Sequence, residues 1–252
     1  MTNLNTTAVV IKNEHLATNY YLLTLAYEGE TPSPGQFVNL AVTPFLLRRP
    51  FAVFDHEKNT LTLLYKTVGE GTQAMSDWPA GEKTEILSPL GKGFPQKSNT
   101  PVLIGGGTGI ASLYYLAKKS KVEPLILLGA NNLEEAAAFE KLFRKLKAKL
   151  HISTLDGSSG FAGNVIEMAQ EKLASLSDYT LYACGPHGML GALATLVLEK
   201  KINPSETFVS LEARMGCGFG VCLGCAVEKK NAEGFYYVCK DGPVFNLHEL
   251  NW

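Results

Sequence analysis

"PVLIGGGTGIASLYYLAKK", residues 101–119, is an apolar run, then a run of glycines, then a segment with apolar residues at helical spacing. That order reads as strand, tight turn, helix. A glycine turn of this kind aims backbone N–H groups and a helix N-terminus at one spot, which suits a phosphate or a nicotinamide. Gly106, Gly107, Thr108 and Gly109 are the candidate contacts. The strict G-x-G-x-x-G pattern is not met, because Gly105 and Gly107 fit its first two places and Ile110 stands in the third. A tight turn with no ligand has the same appearance.

The alternation continues toward the C-terminus. "EPLILLG" (123–129), "LHISTL" (150–155), "YTLYACG" (179–185) and "TFVSLE" (207–212) are candidate buried strands. Helical stretches lie between and beside them: "GIASLYYLAKK" (109–119), "LEEAAAFEKLFRKLKAKL" (133–150), "GNVIEMAQEKLA" (163–174) and "GMLGALATLVLEKK" (188–201). Strand–helix alternation predicts a parallel sheet with crossover helices over residues 97–212. The basic run at the end of the second stretch carries Leu142, Phe143, Leu146 and Leu150 at helical spacing. It reads as an amphipathic surface helix rather than a membrane or partner helix.

Toward the N-terminus the texture is different. "TAVVIKN", "YYLLTLA", "QFVNLAV", "RPFAVFD", "TLTLLYK" and "EKTEILS" are short apolar or alternating runs, most of them separated by Gly, Pro, Asn or Asp. Six such runs predict a small closed antiparallel barrel over residues 1–96. The whole is thus a β + α/β chain: a six-stranded antiparallel barrel, a central parallel-sheet nucleotide-binding domain, and a small C-terminal domain over residues 213–252.

That last part holds "MGCGFGVCLGC" (215–225), with three of the chain's five cysteines. Cys217, Cys222 and Cys225 have the spacing C-x4-C-x2-C, and Cys239 follows after thirteen further residues. Plant-type [2Fe–2S] clusters use C-x4-C-x2-C and a distant fourth cysteine. Two irons side by side need thiolates from several directions, and Gly216, Gly218, Gly220 and Gly224 would let the loop turn with positive φ. The final gap is shorter than in plant ferredoxins, so the match is to the ligand loop. A four-cysteine zinc site is the other reading. Zinc knuckles usually carry two C-x2-C pairs, and here there is one.

Composition bounds the class. The chain has 252 residues, 46% of them hydrophobic and 19% charged, with a formal net charge of −1. A basic nucleic-acid footprint is absent from that balance. No leader with a basic start and a long apolar stretch opens the sequence, and no apolar run is long enough to span a bilayer. The expectation is a cytoplasmic protein, where clustered thiols serve as metal ligands or redox groups rather than disulfides.

Two barrel stretches carry candidate anion contacts. "LLRRPFAVFD" (46–55) has a double Arg before Pro50 and Phe51, and "LLYKTVGEGT" (63–72) puts Lys66 ahead of a glycine turn. Arg or Lys beside glycine backbone suits a pyrophosphate, and Phe51 suits a flat ring. Cys184, Gly185 and Pro186 stand directly after a candidate strand, where a cofactor contact and a small buried thiol are both reasonable readings. The domain's second strand ends in "GANNLEE" (129–135). No Arg or Lys there can grip a 2′-phosphate, so NAD is expected over NADP.

"PGQFVNL", "RRPFAV", "GEGT", "SPLGKGF", "IGGGTGIAS" and "YACGPHGML" resemble the ferredoxin–NADP reductase superfamily, in that family's order and over most of the chain. The tail "VSLEARMGCGFGVCLGCAVE…YYVCKDGPVF" is similar to the electron-transfer subunits of dihydroorotate dehydrogenase B (NAD+). The resemblance implies FAD, one [2Fe–2S] cluster and NAD as electron acceptor. It implies a flavin motif at Arg49-Pro50-Phe51-Ala52, with Arg49 on the pyrophosphate and Phe51 near the flavin or ribityl chain. Ala52 departs from the pattern, which has a serine hydroxyl near flavin N5. Leu64, Tyr65 and Lys66 match the second flavin segment, Gly71 and Thr72 the third, and Cys217, Cys222, Cys225 and Cys239 the cluster ligands.

These centres belong together chemically. A nicotinamide exchanges a hydride and a cluster exchanges single electrons, and a flavin converts between the two. The sequence holds no convincing catalytic triad or hydrolase metal motif, so the organic substrate is expected on a partner. The resemblance implies an FMN-containing catalytic subunit, in a heterotetramer of two of each chain. Electrons then go from FMN through [2Fe–2S] and FAD to NAD+ in pyrimidine biosynthesis. Other readings are a small subunit of another NAD(P)H-linked oxidoreductase (ferredoxin–NADP, sulfite reductase or hydrogenase type), or a flavoprotein with a zinc-bound interaction tail. Met215, Phe219, Val221 and Leu223 give the loop an apolar surface that suits a buried contact with another chain.

Overall fold

The computed structural model describes residues 5–200, 202–203, 206–230 and 232–252. The first four residues of the opening segment, and Lys201 at the end of the fourth helical stretch, lie outside them. The N-terminal unit is built from β1 (Asn5–Ala17), β2 (Tyr20–Ala26), β3 (Phe37–Leu40), β4 (Arg49–Glu57), β5 (Thr60–Lys66), α1 (Glu70–Ser76) and β6 (Lys83–Leu90). The strands close in the order β1-β2-β5-β4-β3-β6, each pair antiparallel. The two-residue period decides what fills the barrel. Leu23 and Leu25 of β2, Val38 and Leu40 of β3, and Leu61 and Leu63 of β5 meet in one buried cluster. The sequence reading missed α1, taking its residues as a glycine turn.

The second unit comprises β7 (Thr100–Gly106), α2 (Ile110–Lys119), β8 (Leu125–Ala130), α3 (Leu133–Phe143), β9 (Lys149–Thr154), β10 (Phe161–Ala162), α4 (Val165–Leu173), β11 (Tyr179–Cys184), α5 (His187–Glu199) and β12 (Thr207–Ser210). Three short strands follow: β13 (Ala226–Glu228), β14 (Phe235–Tyr237) and β15 (Val244–Asn246). The sheet order is β10-β9-β8-β7-β11-β12-β15, parallel except for β15 at the edge. Alternation along the strands splits the core. Leu103, Ile126, Leu128 and Tyr182 pack under α2 and α3, whereas Val102, Ile104, Leu127 and Leu181 pack under α4 and α5. The crossover helices therefore cover both faces, as a parallel sheet requires. The residues of the tail pair as a β13–β14 hairpin and add β15 to the sheet. No helix among the described residues is long and apolar enough to cross a membrane.

One helix is shorter than its periodicity predicts. The apolar spacing continues to Leu150, but α3 ends at Phe143, and Lys149 and Leu150 begin β9. The parallel register pairs Leu125 with Lys149 and Ile126 with Leu150. Leu146 and Leu150 still pack against the same core face as Leu142 and Phe143. The apolar pattern suits both conformations, and strand pairing with β8 selects the second. Capping sets the starts of the helices: Asn132 accepts from Glu135 N at α3, and Asn164 forms a capping box with Glu167 at α4.

The barrel is fastened to the sheet mainly through α2. Tyr114 stacks on Phe54 of β4 with centroids 4.1 Å apart, and Lys118 pairs with Asp55 at 2.7 Å. Tyr115 enters the barrel core, and its hydroxyl donates to Pro32 O at 3.2 Å.

At the start of α2 the backbone of Gly109 lies against the end of β11. A Cβ on Gly109 would stand 2.4 Å from the Cys184 carbonyl carbon and oxygen. Backbone cannot rotate away, so Gly109→Ala is expected to lower stability by about 1–3 kcal/mol. Gly191 in α5 has nothing within 4 Å of a Cβ. Gly191→Ala is expected to raise stability by about 0.5–1 kcal/mol. Urea unfolding of both variants beside the parent chain checks the pair, and equal effects would contradict this packing.

Candidate functional site

Strands β7 and β11 are adjacent, and their crossovers run to opposite sides of the sheet. In open α/β sheets ligands bind at such a switch point, beyond the carboxyl ends of the strands. A cavity of about 340 Å³ opens there, lined among others by Gly106, Gly107, Thr108, Pro186 and Met189. Gly107 has φ +57°, a left-handed turn that keeps the chain low beneath the opening. The ends of β8 and β9 supply Gly129, Ala130, Asn131 and Ser153. The buried Ser153 hydroxyl has no hydrogen-bond partner among the described residues. Lys66 is the one cation on this wall among the described residues. It is held 3.4 Å from Glu135 Oε1 and 4.6 Å above the Tyr20 ring. The other carboxylate oxygen of Glu135 accepts from Asn131 N at 3.0 Å and Asn131 Nδ2 at 2.8 Å.

A second cavity of about 350 Å³ lies between barrel and sheet. Arg49, Pro50, Phe51 and Ala52 of β4 and Leu64, Tyr65 and Lys66 of β5 form its barrel wall, with Thr72 of α1. Cys184 and the segment Ser210–Ala213 form the sheet wall, and Met215 and Pro243 complete it. Arg49 lies over the first turn of α1, where a Cβ on Gly71 would stand 2.5 Å from Arg49 Nε. The glycine thus makes room for the guanidinium. Phe51 meets Tyr65 edge-on at 5.9 Å, and Tyr65 donates to Asn13 Oδ1 at 3.1 Å. The floor is mostly apolar and the Arg49 end is cationic. That division suits FAD, which has a flat ring system at one end of a pyrophosphate. Burial pushes the Cys184 thiol up to about 12, so it is an inert wall rather than a nucleophile.

Lys66, Thr108 and Glu212 line both cavities. Ligands in the two spaces therefore meet across these three residues. Thr108 Oγ1 donates to Glu212 Oε1 at 3.3 Å. Surrounding protein raises the Glu212 pKa, and the Thr108 hydroxyl offsets part of that, although the side chain opens to the cleft.

Segment 211–215 leads from this wall directly into the cysteine loop. There the four candidate ligands are arranged as two pairs. Cys225 Sγ and Cys239 Sγ are 3.3 Å apart, and the Cys217 and Cys222 thiols interact with each other. Val221 N and Cys222 N donate to Cys217 Sγ at 3.3 and 3.4 Å. Burial opposes ionisation of Cys217, but the N–H groups of Cys222, Phe219 and Val221 bring its pKa down to about 6. Burial and the neighbouring Cys225 thiol push Cys239 up to about 12, so this thiol keeps its proton unless a bound cation displaces it. No three His, Cys, Asp or Glu side chains among the described residues converge on one metal position. A zinc site needs four ligands around one ion, whereas a two-iron cluster takes two cysteines on each iron. The pairing fits the cluster.

The glycine expectation is corrected in part. Gly218 and Gly220 have φ +84° and +88°, but the third left-handed residue is Leu223, at +59°, rather than Gly216 or Gly224. Those two glycines instead leave space beside Cys222 Sγ, which lies 3.3 and 3.7 Å from where their Cβ atoms would be.

Of the other residues singled out in the sequence, Gly71, Gly109 and Gly185 stand behind the cavity walls rather than on them. Sequence reading missed Tyr20, Glu135, Ser153 and Glu212. For Ser153 and Glu212 a signal existed, because both stand at or just past a strand's carboxyl end in the α/β segment. Tyr20 carried none, since it reaches the cleft only when barrel and sheet dock, whereas Glu135 stands in the quoted stretch after β8 and is held there by Asn131.

The family model for the iron–sulfur cluster binding domain of dihydroorotate dehydrogenase B matches residues 212–251. A dihydroorotate dehydrogenase B (NAD(+)) electron transfer subunit of Caldanaerobacter subterraneus subsp. tengcongensis is 39% identical over 248 residues, covering 96% of this chain and 97% of the relative. The subunit of the same name from a Geobacillus species is 37% identical over 255 residues, covering 96% of each. Among solved structures, an NADH-dependent reduced ferredoxin-NADP oxidoreductase superposes with a TM-score of 0.83 at 24% identity. That match covers 97% of this chain and 89% of the other and shares the fold.

Arg49 carries the charge at one end of the barrel-side cavity. Arg49→Ala is expected to weaken FAD retention by about 1.5–3 kcal/mol, the worth of a charge-assisted contact. The flavin-to-protein ratio after prolonged dialysis reads this, and unchanged occupancy would remove Arg49 from the site.

Proposed function

This chain belongs to the family of dihydroorotate dehydrogenase B (NAD(+)) electron transfer subunits, and we propose that it takes electrons from an FMN-containing catalytic subunit that oxidises dihydroorotate and delivers them to NAD+. It is an oxidoreductase subunit of pyrimidine biosynthesis, with FAD, a [2Fe–2S] cluster and NAD as its cofactors. When bound, the flavin exchanges a hydride with the nicotinamide and single electrons with the cluster. The observation that carries the reading is the continuity of the three sites. The two-by-two cysteine loop follows directly on the wall of one cavity, which shares Lys66, Thr108 and Glu212 with the next.

In this reading Arg49 and Thr72 hold the FAD pyrophosphate, with Gly71 leaving room for the guanidinium, and Pro50, Phe51, Ala52, Leu64, Tyr65 and Lys66 bound the flavin, with Cys184 opposite them. Gly106, Gly107, Thr108 and Pro186 form the nicotinamide side, backed by Gly109 and Gly185, and Cys217, Cys222, Cys225 and Cys239 hold the cluster. Residues 1–96, 97–212 and 213–252 then serve as FAD, NAD and cluster units. The partner would dock beside the cluster. Phe219, Val221 and Leu223 are 51%, 72% and 53% exposed there, an apolar rim that a lone reductase has no reason to show to water. Assembly as two of each chain follows the resemblance. Five unpaired thiols suit a cytoplasmic protein.

Two measurements test this. NADH is expected to reduce the flavin with kcat/KM on the order of 10- to 100-fold above that of NADPH, because Lys66 is already paired with Glu135 and no second cation lines that cavity among the described residues. Stopped-flow bleaching with each coenzyme decides it, and equal efficiency would contradict the assignment. Cys222→Ser is expected to lose iron and sulfide while keeping FAD. Reduction of a small dye by NADH should survive, and partner-dependent NAD+ reduction should collapse. Near-normal partner-dependent turnover in that variant would sink the relay.

A further inference from the structure

Strand β3 presents alternate residues to opposite sides. Val38 and Leu40 enter the barrel core. Phe37 and Asn39 therefore point outward. Phe37 joins the cluster that contains Leu90, Cys225, Val238 and Cys239, so the cysteine segment rests on this outer face. Asn39 is 0% exposed. Neither its Nδ2 nor its Oδ1 has a hydrogen-bond partner among the described residues. Its Nδ2 lies 2.6 Å from the point where a Cβ on Gly218 would stand. Gly218 follows Cys217 directly and is itself buried, at φ +84°. On the barrel side, Asn39 is paired with Pro50, which lines the flavin cavity.

A buried amide without partners is costly, and a leucine would fill the same place without that cost. Apolar residues share this outer face: Phe37 on the same strand, Leu87 paired with Asn39 across the barrel, and Leu90, which also meets Gly218. One polar side chain in that setting, pressed on the residue after a candidate ligand, needs an acceptor that the cysteine loop brings with it.

Resting on the reading that Cys217, Cys222, Cys225 and Cys239 hold a [2Fe–2S] cluster, we infer that Asn39 donates a hydrogen bond to the sulfurs of that site and holds its reduction potential up. Reduction adds negative charge, and an N–H aimed at sulfur favours the reduced form. Cys217 Sγ also receives the backbone N–H groups of Val221 and Cys222, with that of Phe219 beside them, and no side-chain change removes these. Asn39 is the adjustable donor, and it lies between the cysteine loop and the flavin wall.

The test uses the full chain assembled with its catalytic partner. Iron, sulfide, zinc and FAD are counted first. Zinc in place of iron and sulfide in the parent protein overturns the reading beneath this inference. With the cluster present, the inference stands or falls by itself. An EPR-monitored redox titration then compares the parent with Asn39→Leu and Asn39→Asp. Asn39→Leu is expected to shift the one-electron equilibrium about tenfold toward the oxidised form, which is about 59 mV downward. Asn39→Asp, which exchanges the donor for an acceptor, is expected to shift it further, and the FAD potential should stay in place. Unchanged cluster potentials in both variants overturn the inference, even where stability falls. If neither variant loads a cluster, the parent chain labelled with 15N in its asparagine side chains decides. Pulsed EPR of its reduced cluster is expected to show a coupled amide nitrogen, and absence of that coupling overturns the inference.

Discussion

The packing of α2 between the sheet and the barrel is the contact on which the rest of the structure depends. Ile110 and Leu113 cover the sheet, Tyr114 stacks on Phe54, and Tyr115 plugs the barrel. Lys118 adds an ion pair to Asp55 that also reaches Glu57. Both partners of the Asp55 pair are largely screened from water, so it contributes more to alignment than an exposed surface pair does. Were α2 to lose either face, β4 and β5 would no longer stand opposite β7 and β11, and neither cavity would have a second wall.

The same docking arranges charge. Glu135 comes from the sheet unit and Lys66 from the barrel, and their pairing leaves the cleft with little free cationic character. Glu212, from the end of β12, adds an anionic group where the two cavities meet. The cleft is therefore better suited to a coenzyme with a plain ribose than to one with an added phosphate. The cysteine loop depends on the docking too. Its buried members share a core with Phe37 and Leu90 of the barrel and with Val209 and Phe245 of the sheet. The loop therefore cannot adopt its shape on a separate tail, because its apolar support comes from both larger units.

Much of this was legible in the chain. Alternating runs gave the six barrel strands, strand–helix alternation gave the parallel sheet, and cysteine spacing gave the candidate ligands. Each of these signals is local, carried by a period of two or 3.6 residues or by a short motif. The misreadings also share a cause. Lys149 and Leu150 continue a helical pattern yet pair with β8, because a neighbouring strand offers hydrogen bonds that a lone helix turn does not. In the tail, β15 completes the sheet edge, since its pairing with β12 is set by where the chain returns and not by its own propensity.

The sequence alone thus determined the class of fold and the four thiols, since residue type and spacing are enough for these, whereas the cofactors to expect came from its resemblance to a known family. Tertiary structure decided which side chains share a wall. Lys66 faces Glu135 across 69 positions of chain. Thr108 meets Glu212 across 104 positions. Asn39 lies buried beneath Gly218, although nothing in "QFVNLAV" marks it as different from a solvated strand residue. Such meetings arise from burying apolar faces of separate units against each other, and that burial depends on the whole surface rather than on any motif within it.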